Sequence, residues 1–263
     1  VKACLAEEMI DPNDRDHTGR TPLQLACLAS TSDIVQCLVD HGARMISRLA
    51  DGRTALHLAA ARGDLEMVRV LLRKSKQNES EQAQLEKRAD GDSDECQQEP
   101  DTSESQSVDS DSFVHVKKEA DNVDGIDLAM TENEQEPDIY DIDVVAWDVP
   151  TSALHLAILH GHIDVAHELI TSFGADLALP VKLLWPGQDR ARAAILCLVL
   201  ALRLPLEKSI TMTEKLLQLG ALPTQADINS ATPLHYVVAC DFTDSSEILE
   251  TYFRQNRSAT VKA

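Results

Sequence analysis

Aromatic side chains are scarce in this chain, with two Trp, three Tyr and four Phe among 263 residues. A core that cannot rely on large rings must be built from Leu, Ile, Val and Ala. That bias suits thin helical layers better than a wide sandwich of sheets. Apolar runs are also short. The longest, Ala193 to Leu202, is closed by Arg203 and Pro205 and reads as a buried helix, well below the roughly 18 residues of a membrane-crossing segment. None of the six cysteines stands in a C-x-x-C pair, so the sequence predicts buried free thiols in a reducing compartment rather than a zinc or redox centre. G-x-S-x-G, H-E-x-x-H and a phosphate-cradling glycine loop are all missing. Basic residues are outnumbered, 24 Lys+Arg against 44 Asp+Glu. No broad basic face can form, which argues against direct binding of nucleic acid and against an anionic membrane surface.

The acidity is local. Residues 75–148 hold 23 Asp+Glu and 5 Lys+Arg, a net of −18 out of the chain's −20, so the remainder is almost neutral. This acidic stretch is rich in Ser and Gln and nearly free of apolar clusters until Ile139. It cannot bury enough surface to offset its conformational entropy, and disorder is expected throughout 75–148.

Outside that stretch the chain repeats itself. Thr21-Pro22-Leu23-Gln24-Leu25-Ala26 is matched 33 residues later by Thr54-Ala55-Leu56-His57-Leu58-Ala59. The pattern returns as Ser152-Ala153-Leu154-His155-Leu156-Ala157 and as Thr232-Pro233-Leu234-His235-Tyr236-Val237. The Thr or Ser reads as a helix N-cap. Proline fits the next position, where no N–H is needed. A second apolar stripe follows the first three starts: Ile34-Val35 with Leu38-Val39, Met67-Val68 with Leu71-Leu72, and Val165-Ala166 with Leu169-Ile170. Spacing of i, i+3 and i+4 puts one helix face against a neighbouring layer. Gly42, Gly174 and Gly220 close units as helix C-caps, and Gly63 and Gly161 separate the helices within a unit.

This T-P-L-H-x-A signature at a 33-residue period resembles the ankyrin-repeat family. The resemblance spans everything outside the acidic stretch. It implies an all-α solenoid of about five helix-pair repeats carrying one long disordered acidic insertion. Residues 1–16 read as the second helix and exit loop of a preceding repeat. Repeats are expected at 17–48, 49–74, 149–180 and 226–263, with a degenerate repeat at 181–225 that has an extended loop and helices from Ala193 to Leu204 and Leu206 to Leu219. Because the chain opens on Val1 and Ala259 to Ala263 looks like the start of another helix, it reads as a fragment of a larger protein. Loop closure costs grow only logarithmically with length, so an insertion between two repeats leaves both free to stack.

The resemblance implies no catalysis, cofactor, metal or small-molecule substrate. His57, His155 and His235 occupy the family's signature position, where imidazole braces a turn. The implied function is a protein-binding scaffold using loop tips and first-helix surfaces, in the cytoplasm or nucleus. Partner-binding candidates are His17, Arg20, Arg44, Arg48, Arg53, Trp147, Trp185, Gln188, Asp189 and Arg190. The two Trp stand beside cationic or irregular loop positions, and Trp and Arg are enriched in interface hot spots. An alternative is a targeting or regulatory segment of a larger enzyme or nuclear regulator whose catalytic domain lies elsewhere. A third reading has the acidic insertion folding back over Arg44, Arg48 and Arg53. Within it, Ser103, Ser105, Ser107, Ser110, Ser112 and Thr131 are candidate phosphorylation sites. Lys117, in Val116-Lys117-Lys118-Glu119, fits a SUMO-acceptor pattern. Asp138 to Trp147 alternates acidic and apolar residues and is expected to run as an extended finger into the third repeat.

Overall fold

The structure is a computed structural model that describes residues 11–90, 137–184, 191–240 and 246–260. The chain divides into two compact units, Val1–Glu79 with Pro137–Ala263, and Ser80–Glu136. Of the second unit, the described part is the helical run of residues 80–90.

The first unit is a stack of helix pairs: α1 (Pro22–Ala29) with α2 (Ser32–Asp40), α3 (Ala55–Arg62) with α4 (Leu65–Asp90), and α5 (Ala153–His160) with α6 (Ile163–Thr171). A short antiparallel hairpin, β1 (Val181–Leu184) and β2 (Ala191–Ile195), leads into α7 (Cys197–Ala201) and α8 (Leu206–Gln218). The described array ends with α9 (Pro233–Ala239) and α10 (Ser246–Thr260). The four signature starts each form a capping box, in which the Thr or Ser hydroxyl and the side chain three residues on answer each other's backbone N–H. Gly63 and Gly161 end α3 and α5 in the left-handed conformation. The core lies between the helix layers. Leu23, Leu56 and Leu154, the same position in three units, are at most 1% exposed, and burying each contributes about 2 kcal/mol.

The acidic insertion is narrower at both ends than its composition suggests. α4 does not stop at Lys74 but runs on to Asp90. No glycine stands where Gly42 closes the first unit, and Ser75-Lys76-Gln77-Asn78-Glu79 propagates the helix. On the far side, 137–148 is built into the array. The Asp138 carboxylate accepts from the backbone N–H groups of Met45 and Ile46 at 2.9 Å each. Asn78 Nδ2 donates to the Asp138 carbonyl at 2.8 Å, the Tyr140 N–H donates to Ser75 Oγ at 2.8 Å, and the buried Tyr140 hydroxyl donates to the Met45 carbonyl at 2.7 Å. The chain therefore leaves and re-enters the stack at one clasp. The second and third layers still pack across it. Arg69 Nη2 pairs with Glu168 at 3.2 Å, Lys76 Nζ donates to the Ser172 carbonyl at 2.9 Å, and His162 Nε2 donates to the Ala61 carbonyl at 3.0 Å.

The degenerate unit differs from expectation. Residues 191–195, expected to begin a helix from Ala193, pair instead as a strand, with Val181 opposite Ile195 and Leu183 opposite Ala193. α7 is only five residues long and starts after Leu196, which has no capping side chain. Without a Thr or Ser to hold the first N–H groups, the helix begins late and the backbone ahead of it is satisfied across the hairpin. Ala259 and Thr260, expected to open another helix, form the last turn of α10.

Ser230 is in the left-handed region at φ 61°, at the turn position where the first two units carry Gly19 and Gly52. A side chain there costs on the order of 1 kcal/mol. Ser230→Gly is expected to raise thermal stability by about that amount, read as a rise of a few degrees in Tm. An unchanged or lower Tm would contradict the assigned turn.

Candidate functional site

Each signature helix is preceded by a tight finger. In the first, the Asp16 N–H donates to the Arg20 carbonyl at 2.9 Å and the Gly19 N–H to the Asp16 carbonyl at 2.8 Å. The second repeats this with Leu49 and Arg53 at 2.9 Å and Gly52 to Leu49 at 2.8 Å. The fifth does so with Asp227 and Ala231 at 2.9 Å. In the third, the Ala146 N–H reaches the Thr151 carbonyl at 3.1 Å. Asp16 Oδ1 accepts from the Thr18 hydroxyl, the Arg20 N–H and the Thr18 N–H. These bonds, the Thr18 hydroxyl's first, hold its carboxyl well below the usual range.

Two ladders tie neighbouring fingers together. Arg15 Nη1 donates to Gly19 O in its own finger at 2.6 Å and to Arg48 O in the next at 3.1 Å. Thirty-three residues on, Arg48 Nη1 donates to Gly52 O at 2.7 Å and to Val145 O at 3.2 Å. The second ladder comes from the signature position. Gln24 Nε2 donates to Ser47 O at 2.8 Å, His57 Nε2 to Val144 O at 3.1 Å, and His155 Nε2 to Leu179 O at 2.9 Å. The other ring nitrogen of each histidine accepts from its own cap, Thr54 N–H at 3.2 Å and Ser152 N–H at 3.0 Å. Burial, seconded by Arg48, lowers the His57 pKa to about 4, and burial lowers that of His155 as well. Both are neutral braces at pH 7.

The proposed binding residues fall into distinct settings. His17 is exposed on the first finger tip. Arg20 and Arg53 lie at finger bases, paired with Asp16 and Asp51 at 3.2 and 3.4 Å. The Arg44 N–H donates to Asn13 Oδ1 at 2.7 Å. Arg48 is a rung of the arginine ladder, and its guanidinium also sits 5.4 Å over the Trp147 ring. Trp147 remains 46% exposed. Its N–H donates to the Asp51 carbonyl at 2.9 Å, and its ring lies against Gly52. Arg48 and Trp147 thus meet across adjacent fingers, and Arg53 lies on the same finger as Arg48. Trp185, Gln188, Asp189 and Arg190 lie outside the described residues, as do Ser103, Ser105, Ser107, Ser110, Ser112, Thr131 and Lys117.

Sequence reasoning passed over the Arg15 rung, although its 33-residue spacing from Arg48 carried the signal. It also passed over the outward row of the first helices. Leu25 and Leu28 are 37% and 46% exposed, and Leu159, equivalent to Leu28, is 37% exposed. Ala61 lies between the two leucines in the layer order. The thiols of Cys27, Cys37 and Cys197 are buried, and burial pushes Cys27 and Cys197 up to about 12. Among the described residues, no group of three or more His, Cys, Asp or Glu is placed to hold a metal ion, and no helix is long and apolar enough to cross a membrane.

Capped helix pairs laddered through their fingers define a repeat solenoid, a fold that typically serves as an interaction module. Residues 1–82 match the family model described as ankyrin repeats (3 copies), and residues 151–180 match the single ankyrin repeat. Solved structures with the same fold include the ankyrin repeat protein EF0377, at TM-score 0.60 and 17% identity over 97% of this chain and 91% of that one. An ankyrin repeat domain from Acinetobacter baumannii AYE matches at TM-score 0.59 and 18% identity, over 97% of this chain and 90% of that one. The ankyrin repeat domain of Bcl-3, described as a unique member of the IkappaB protein family, matches at 0.56 and 17%, over 97% and 78%. Among curated proteins, BCL-6 corepressor-like protein 1 of Homo sapiens is 36% identical over 72 residues. That match covers 27% of this chain and 4% of that protein's length. Residues 1–82 and 151–180 are thus ankyrin repeats by sequence, and the array has the fold of ankyrin-repeat proteins.

Proposed function

We propose that this chain is a protein-binding scaffold that grips its partner along the fingers and the outward row of the first helices. The observations that carry this reading are the leucines left open on the first and third layers, Leu25, Leu28 and Leu159, and the exposed Trp147 ring under the Arg48 guanidinium on the fingers. Backbone and side-chain ladders hold these layers in fixed spacing, so a partner meets a surface already organised and loses little entropy in ordering it. His17, Arg20, Arg44 and Arg53 form the polar margin of this surface, and Trp185, Gln188, Asp189 and Arg190 would extend it from the hairpin end. The partner is another protein. The scaffold itself performs no catalysis, and it works in the cytoplasm or nucleus.

Partner capture on the intact array tests this. Leu28→Arg with Leu159→Arg is expected to weaken the captured complex at least tenfold while leaving Tm within about 2 °C, since both leucines are partly exposed already. Retention of full binding by the double variant would sink the assignment of the outward row. A second reading is favoured by the 36% identity to BCL-6 corepressor-like protein 1: a regulatory segment of a longer nuclear protein. Nuclear enrichment of the full-length protein supports that reading, and exclusion from the nucleus removes it. In either setting the acidic insertion is a solvating spacer or a modifiable arm, with Ser103, Ser105, Ser107, Ser110, Ser112, Thr131 and Lys117 as its acceptor sites.

A further inference from the structure

The first helices differ in charge from the rest of the chain. Asp and Glu number 44 in the sequence, yet α1, α3, α5, α7 and α9 contain neither. Every second helix does carry acids, among them Asp33 and Asp40 in α2 and Asp164 and Glu168 in α6. On the first-helix side the charges present are positive. Arg62 ends α3, and Arg203 stands two residues past α7. Both are exposed, and among the described residues neither is in an ion pair. Arg62 Nη1 donates to the Cys27 carbonyl at 3.3 Å, so its guanidinium reaches the last turn of α1, where Leu28 is open. Arg203 stands seventh after the N-cap Leu196, the place that Leu28 and Leu159 hold after Thr21 and Ser152. Along the row, open leucines on the first and third layers thus alternate with unpaired cations on the second and fourth.

We propose that the segment gripped along this row is an acidic, apolar stretch of another protein, with carboxylates set against Arg62 and Arg203 and apolar side chains against Leu28 and Leu159. The inference rests on the scaffold reading above and adds the partner's chemistry to it. Two cations with no acid on their own helices are complementary to an anion that a partner brings. The leucines between them need apolar cover, which a phosphate backbone does not supply. Residues 91–136 carry acids but are poor in apolar side chains. The second and fourth layers each have a described layer on both sides, so the row is open whatever adjoins either end of the array.

The probe is a fluorescein-labelled helical peptide of about 20 residues with Glu and Leu along one face. At about 1.5 Å per residue it spans three layer spacings of roughly 9 Å each. Anisotropy titration with the intact chain is expected to give saturable binding that weakens as salt rises. Arg203→Glu should weaken it about tenfold. Tm should stay unchanged, because that side chain is exposed and in no ion pair. Adding Arg62→Gln should weaken binding further, and a peptide with Lys in place of Glu should not bind. The absence of saturable binding overturns the inference, as does binding indifferent to Arg203→Glu. The scaffold reading outlives either result, since it is judged by partner capture with the leucine variant. A single-stranded oligonucleotide that binds as tightly, with the same sensitivity to Arg203→Glu, overturns the inference by making nucleic acid the occupant. Two results would make the protein's own chain the occupant and overturn it as well: peptide binding seen only after the acids of residues 91–136 are changed to Asn and Gln, or binding seen with this array and lost in the full-length protein. A dimer that Arg203→Glu dissociates overturns it in favour of a second copy.

Discussion

Gly52→Ala is expected to cost about 3 kcal/mol and to lower Tm by on the order of 10 °C. Two effects add. Gly52 sits at φ 79°, where an L side chain is strained. In addition, an added Cβ would fall 2.5 Å from the Trp147 ring and 2.6 Å from the Trp147 backbone nitrogen. A ring can swing away, but the backbone nitrogen is fixed by its bond to the Asp51 carbonyl at 2.9 Å. Relief therefore requires the second and third fingers to part. Gly42→Ala is the natural control. It shares the left-handed backbone, at φ 84°, and has nothing within 4 Å of the added carbon. It should lose only about 1 kcal/mol. Chemical denaturation of the two variants separates strain from the finger contact, with Trp147 emission reporting the local rearrangement. Equal losses would show that the third finger does not rest on the second.

His57→Ala is expected to cost about 3 kcal/mol at pH 7 and to flatten the acid dependence of stability. The ring is fully buried, braces its own cap at 3.2 Å and reaches the next layer at 3.1 Å. Its pKa falls from 6.5 to about 4 on folding because burial disfavours the charged ring. The neutral form is thus the one the fold selects. Its contribution is complete above pH 6.5 and is lost as the pH drops through 4, a span worth about 3 kcal/mol. Urea midpoints at pH 7 and pH 4.5 should differ more for the wild type than for His57→Ala. Some acid sensitivity persists in the variant, since His155 shifts in the same direction. An identical pH dependence in both proteins would remove the brace from the account.

How much of this was readable from residues alone depended on the reach of each interaction. The capping boxes join positions three residues apart, so Thr21 with Gln24, Thr54 with His57, Ser152 with His155 and Thr232 with His235 announced four helix starts unaided. The second helices α2, α6 and α8 followed from their apolar spacing. The hairpin was not legible: Ala193-Ala194-Ile195-Leu196 is equally apolar as helix or strand, and the strand wins through pairing with Val181 to Leu184 across the loop. The ends of the insertion were misjudged because charge was weighed without partners. Asp138 is acidic, but it finds two backbone N–H groups some ninety residues away. At the candidate site, His17 was named for partner binding and lies exposed on the first finger tip. Arg48 was selected as a contact residue and is also a structural rung, a role that depends on carbonyls the sequence cannot align. Leu25, Leu28 and Leu159 looked like core, and only the direction each helix faces reveals that they are open.

The clasp beneath the insertion has a kinetic consequence. The rung from Gln24 to Ser47 closes over 23 residues, whereas that from His57 to Val144 closes over 87. For a flexible chain the longer closure carries about 1.2 kcal/mol more entropy loss. Neighbouring junctions can zip up locally, but this one must wait for a distant search. This junction is therefore expected to form after its neighbours and to open before them, so that the two halves of the stack assemble in sequence rather than at once.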